Sequence, residues 1–245
     1  MKLWSSLPES KIWKELSLTG KIRYLWDYYK LPFAAALILI YFTGFFLIRF
    51  LTHQEPVLYA AMVNVAVSPE LEYDLTGRYM YDRLIDEDNN PLMLYKNLYL
   101  TDNPTSEVFT YTQASQMKIL GTIEAQELDI VFMDKEAFDA FAQNGFLYDL
   151  DLLLEESKEE HPDLRQKTAG HLIRNMEIRE DNAKEIALDP SVEYQSVTAE
   201  FEMGIDLSSS PLFQDSGFTE SVYLGVLRNT PRKEQALDYI EYLYQ

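Results

Sequence analysis

Apolar residues are spread along this chain in two unlike ways. Near the N-terminus they form one unbroken run, LPFAAALILIYFTGFFLI, from Leu31 to Ile48, without a charged residue. Extension to Leu51 admits only Arg49 and gives 21 residues, about 30 Å of helix, the thickness of a bilayer's hydrocarbon core. Pro32 stands at the N-terminal edge, where a missing N–H is harmless. Arg49 at the other edge can reach the headgroups. The pattern predicts a transmembrane helix over residues 31–52. A buried core helix is the weaker alternative, because uncharged runs of this length read as spans. A cleaved signal peptide fits poorly: 30 residues would precede its apolar core, and no A-x-A-like site follows it.

After residue 56 the apolar positions come in short blocks separated by turn residues. Val57 to Val67 reads as a buried strand. Ser68-Pro69-Glu70 is a helix start, with Ser68 as N-cap, and the helix runs to about Ile85. Leu92 to Thr101 holds a second strand, and a helix follows the turn at Asp102–Thr105 as far as Glu124. Leu128 to Met133 is a third strand. Asp134 caps a helix over Lys135 to Gln143, which Asn144-Gly145 ends. Three consecutive β-then-α units predict a parallel-type sheet with flanking helices, an α/β fold. Residues from about 150 to 220 read differently: an acidic helical stretch, then polar alternating pieces around Leu172–Arg179, Ala183–Leu188 and Val197–Met203. These predict hairpins or a small inserted subdomain. Ser221 to Arg228 returns as a strand, and Arg232 to Tyr244 as a helix with one apolar face.

Charge divides the chain at the same place. The whole has 245 residues and a net charge of -19. Residues 1–52 hold 7 Lys and Arg against 3 Asp and Glu. Residues 53–245 hold 14 against 37, a net of -23. Six of the basic residues, Lys2, Lys11, Lys14, Lys21, Arg23 and Lys30, precede the span. None lies in residues 52–71. The positive-inside rule then places residues 1–30 in the cytoplasm and residues 53–245 outside. Trp4, Trp13 and Trp26 also precede the span. Trp26, Tyr28 and Tyr29 stand where an inner-leaflet aromatic belt belongs. The spacing of Ile12, Trp13 and Leu16, then Ile22, Leu25, Trp26 and Tyr29, predicts one or two short interfacial helices, with the lipid bilayer as partner. Zero cysteine excludes a disulfide scaffold, a thiolate metal site, a Cys nucleophile and a lipid-modified Cys. The acidic balance argues against nucleic acid as a partner.

The stretch KILGTIEAQELDIVFMDKEAFDAFAQNGFLYDLDLLL, Lys118 to Leu154, resembles the first lobe of bacterial extracellular solute-binding proteins of the type 2 periplasmic-binding fold. The carrying residues are the strand Leu128–Asp134 and then Gly145, Leu147, Asp149 and Leu150. SVYLGVLRNTPRKEQALDYIEYL is similar to that family's return strand and helix. WDYYK before a single span looks like membrane-anchored exported proteins of Gram-positive bacteria. The resemblance implies a non-catalytic ligand-binding or sensing domain, with a small-molecule solute and a membrane transporter or complex as partners. The alternative is a degenerate binding fold serving as a protein-interaction subunit. The rule for open parallel sheets puts ligands at the C-terminal strand ends. The matching positions are Asn64–Ser68, Thr101–Asn103, Asp134–Lys135 and Asn229–Thr230. The candidate ligand-binding residues are therefore Ser68, Asp102, Asn103, Asp134 and Asn229, with no cofactor expected.

Other motifs carry little chemistry. Ser115-Gln116-Met117-Lys118 fits S-x-x-K, but neither S-D-N nor K-T-G accompanies it. Asp86, Asp88 and Asn90 open like a calcium loop, yet Pro91 stands where glycine is needed and Asn97 where glutamate is needed. His53, His161 and His171 lack metal-ligand spacing. The early tyrosines, among them Tyr59 and Tyr95, suit sheet packing better than sugar stacking.

Overall fold

The computed structural model describes residues 17–51, 55–214, 218 and 220–245. The chain forms two compact units, residues 1–53 and 54–245, and each is considered by itself.

In the first unit, helix α1 (Leu18–Leu51) is continuous over 34 residues, with Pro32 inside it. Its stretch Leu31–Ile48 has no buried residue and is long and apolar enough to cross a membrane. Leu39, Tyr41 and Phe46 are exposed alongside residues on its other faces, so the helix is apolar all round and has no polar side for water. Ile12 to Leu16 lie outside the described residues. Ile22 to Tyr29 belong to α1 instead of forming a separate interfacial helix. No glycine interrupts residues 21–43, and Pro32 is accommodated within the helix, so nothing separates the two stretches.

The second unit is built on one six-stranded sheet in the order β2-β1-β3-β6-β5-β4. The strands are β1 (Leu58–Val63), β2 (Leu92–Leu98), β3 (Ile130–Met133), β4 (Leu172–Asp181), β5 (Ser196–Asp206) and β6 (Tyr223–Val226). β1 runs parallel to β2 and β3. β6 runs antiparallel to both β3 and β5, and β5 antiparallel to β4. The fold is therefore α/β, as the alternation predicts, but the sheet is mixed. The return strand comes next after β5 in the sheet and pairs antiparallel beside it, between β5 and β3. Between β5 and β6 the described residues form only a 3-10 turn (Leu207–Ser209) and the one-turn helix α9 (Pro211–Gln214).

The described residues of segment 150–220 do not fold apart from this sheet. β4 and β5 extend it. The two helices before them, α6 (Leu150–Glu156) and α7 (Leu164–Thr168), sink Leu150, Leu153, Leu154 and Leu164 into the same core as Leu58 and Phe132. Their leucines at helical spacing need an apolar face to cover, and the sheet supplies it. The segment 183–188 is also helical (α8, Ala183–Leu188), not a strand.

Alternation along the strands feeds two layers. Ala60, Met62, Ile130, Phe132 and Leu224 face one side. That side is covered by the helical segment 69–82 and by α10 (Lys233–Leu243). Ala61, Val63, Val131 and Met133 face the other side. There α4 (Phe109–Glu124) contributes Ile119 and Ile123, and α5 (Lys135–Gln143) contributes Ala137, Phe138 and Phe141. Segment 69–82 is not one regular helix. It comprises α2 (Pro69–Tyr73), a π-helical turn (Asp74–Arg78) and α3 (Tyr79–Asp82). The hydroxyls of Tyr242 and Tyr239 on α10 donate to the carbonyls of Asp74 and Leu75, at 2.5 and 2.7 Å. These bonds fasten the wide turn to the opposite helix.

Candidate binding groove at the strand ends

Three of the four loops expected to gather at the strand ends do so, because β1, β2 and β3 are parallel. Asn64 joins them. It follows β1 with a left-handed backbone, φ 58°, a conformation asparagine tolerates better than most residues. Its side-chain amide donates to the Leu100 carbonyl at 2.6 Å and to Asp134 Oδ1 at 3.1 Å. Its Oδ1 accepts from the Leu100 N–H at 2.8 Å. One side chain thus ties the ends of all three parallel strands.

Asp134 caps α5 by accepting from the Ala137 N–H at 2.8 Å. Burial pushes its carboxyl above the usual aspartate range against these hydrogen bonds, and the negative charges of Glu136 and Glu220 add to that shift. Ser68 caps α2 by accepting from the Leu71 N–H at 3.2 Å. Asn103 folds on its own loop, accepting from the Thr105 N–H and hydroxyl. The Asp102 N–H donates to Glu136 Oε1 at 2.9 Å, which joins the loop after β2 to the start of α5.

That link stands at one end of a cleft of about 510 Å³ between α4 and α5. Leu100, Ile119, Leu120, Phe141 and Phe146 supply its apolar lining. Gln116 lies on the α4 side, with Glu136, Asp139 and Gln143 along α5 and Asp102 at the loop. Among the described residues no Lys or Arg lines it. Asp139 is engaged by Lys135 and accepts from Asn175 Nδ2 at 2.7 Å. Of the five candidate ligand-binding residues named from sequence, Asp102 alone lines the cleft, with the strand-end position Thr101 beside it. Glu136 and Phe141 escaped sequence reasoning, and Asn64 stood among the strand-end positions without being singled out as a binding residue. The signal for Asn64 was its place directly after a buried strand.

Asn229 is at the other end of the sheet. β6 runs antiparallel to β3, so its C-terminal end meets the start of β3. Asn229 Nδ2 donates to the Ile123 carbonyl at 2.6 Å. The neighbouring Thr230 hydroxyl donates to Asp129 Oδ1 at 2.5 Å. Asp129 is fully buried and also accepts from the Tyr59 N–H at 2.8 Å and from Arg232 at 3.1 Å. These bonds join β1, β3 and the loop after β6. The assignment of Asn229 to the strand-end site is corrected accordingly.

The minor motifs are taken up in structure. Ser115 is buried and its Oγ accepts from the Tyr99 N–H at 3.0 Å, while Lys118 lies over the Tyr95 ring, 4.8 Å from its centroid. Tyr95 stacks on Tyr59, and Arg232 covers Tyr59, so both rings are occupied. Asp86 turns back on its own loop, accepting from Asp88 N–H and Asn89 Nδ2. Among the described residues no cluster of three or more His, Asp or Glu is arranged to hold a metal ion. Comparison with protein-family models, with curated proteins and with solved structures found no match to this chain.

Proposed function

We propose that this chain is a non-catalytic binding domain held at the outer surface of a cell membrane by α1, with its N-terminus in the cytoplasm. The observation that carries the reading is the cleft between α4 and α5. It is concave, joins an apolar lining to a few polar groups, and opens at the C-terminal ends of the parallel strands, where α/β sheets bind ligands. The resemblance of Lys118 to Leu154 to a solute-binding lobe supports the same assignment. The basic residues before the span and the -23 balance after it support the orientation.

The test uses the full chain in phosphatidylcholine nanodiscs. Thermal unfolding is followed against panels of sugars, amino acids, short peptides and divalent cations. A ligand present at about 100 times its Kd stabilises by about 2.7 kcal/mol. Ala140→Trp, placed in the cleft lining, should abolish that shift. Absence of any stabilising compound, or a shift that survives Ala140→Trp, counts against the cleft as the site. Protease accessibility of residues 54–245 on intact cells tests the orientation.

A second reading, a protein-interaction subunit, is favoured by a specific observation. All six strands belong to one sheet, and the cleft walls come from α4, α5 and their loops. Among the described residues there is no second sheet to close over a small solute. An open groove of this kind suits a partner that brings its own cover.

A further inference from the structure

The groove has two unlike banks. In a domain with a net charge of -23, helix α4 carries only Lys118 and Glu124 among its 16 residues. Lys118 is turned to the Tyr95 ring, and Glu124 ends the helix. Phe109, Met117 and Leu120 are 41%, 71% and 46% exposed. Gly121 has open space where a side chain would stand. Leu120 and Gln116 also line the groove, so the uncharged face of α4 continues into it. The opposite bank bears Glu136 and Asp139 on α5, Asp139 being shared with Lys135, and Asp102 at the end.

We propose that the α4 face and the α4–α5 groove dock a basic amphipathic helix of a partner protein. Its apolar side lies on Met117 and Leu120, and its Lys or Arg residues face Glu136, Asp139 and Asp102. The inference rests on the groove being the binding site and names what fills it. Charge decides among occupants. A second copy of this domain would bring another -23 against the first, and anionic lipid headgroups would meet the same repulsion. A basic helix gains attraction on the acidic bank and apolar burial on the other, the ordinary way in which grooves take amphipathic helices. At 16 residues α4 is about 24 Å long, enough to run beside four turns of a partner.

The experiment uses the full chain in phosphatidylcholine nanodiscs at physiological salt. The probes are two 18-residue helical peptides that share a leucine face, one with lysine and one with glutamate on the polar face. The lysine peptide is expected to bind and to slow hydrogen exchange in α4 and α5. Leu120→Glu and Met117→Glu should each weaken it at least tenfold, while Leu188→Glu, far along the chain on α8, leaves it unchanged. Both α4 side chains are exposed, and unchanged thermal unfolding confirms that the variants fold. Equal binding of the lysine peptide to Leu120→Glu would show attraction by bulk charge and overturn the proposal. So would equal binding of the glutamate peptide, or a dimer in sedimentation that Met117→Glu dissolves. If neutral solutes or the glutamate peptide protect the groove, the binding site stands and the basic-helix assignment falls. If nothing protects α4 or α5, both fall.

Discussion

The contact between the π-helical turn and α10 can be tested by removing one oxygen atom. Tyr239 is fully buried. Its hydroxyl donates to the Leu75 carbonyl at 2.7 Å. Its ring meets Tyr79 edge-on at 4.8 Å and Phe132 at 6.3 Å. Tyr239→Phe keeps the ring, the volume and these aromatic contacts. It removes only the donor, and water has no access to replace it. A buried acceptor left without its partner costs about 1–3 kcal/mol, against a net gain of about 1 kcal/mol for an ordinary exposed bond. We take about 2 kcal/mol. For a domain of this size that lowers Tm by about 4–8 °C. Differential scanning calorimetry of the full chain in nanodiscs measures it. Tyr242→Phe, whose hydroxyl binds the Asp74 carbonyl one residue earlier, should cost less because Tyr242 is less completely buried. If Tyr239→Phe unfolds at the wild-type temperature, the hydroxyl does not hold the π turn and the reasoning fails.

Alkaline pH should unfold the domain through its buried tyrosines. Burial raises the phenol of Tyr239 well above its usual value and pushes Tyr242 and Tyr244 to about 12. The unfolded chain releases these protons first, so the stability they contribute is intact below pH 10 and is lost as pH rises towards 12; absorbance at 295 nm against pH should show tyrosine ionisation coinciding with loss of structure. A Cβ on Gly204 would lie 2.7 Å from the Phe138 ring, and that ring is already stacked on Tyr223. Gly204→Ala should therefore cost about 2 kcal/mol of overpacking, read by denaturant titration. Asp129→Ala strands the Tyr59 N–H and Arg232 together and should cost about 3 kcal/mol; a loss below 1 kcal/mol would show that these bonds contribute little.

The sequence alone carried the local signals. Leu31 to Ile48 needs no partner to be read, since an uncharged run of that length makes a helix long and apolar enough to cross a membrane. Ser68 and Asp134 are caps because a side-chain oxygen beside a helix start reaches the N–H three residues on, as both do. Lys135–Gln143 was legible to its last residue, for Asn144 and Gly145 are an ordinary helix stop, with Gly145 at φ 70°. Tertiary structure decided the rest. Strand direction is not written in strand residues, so only the pairing of β6 with β3 and β5 moved Asn229 to the far end of the sheet. The π turn at Asp74–Arg78 is held by hydroxyls more than 160 residues away in sequence, beyond any local pattern. The groove, too, depends on two helices lying side by side over one sheet. The low charge of α4 is a matter of composition that sequence reading passed over, and that α5 sets its carboxylates opposite is a consequence of packing.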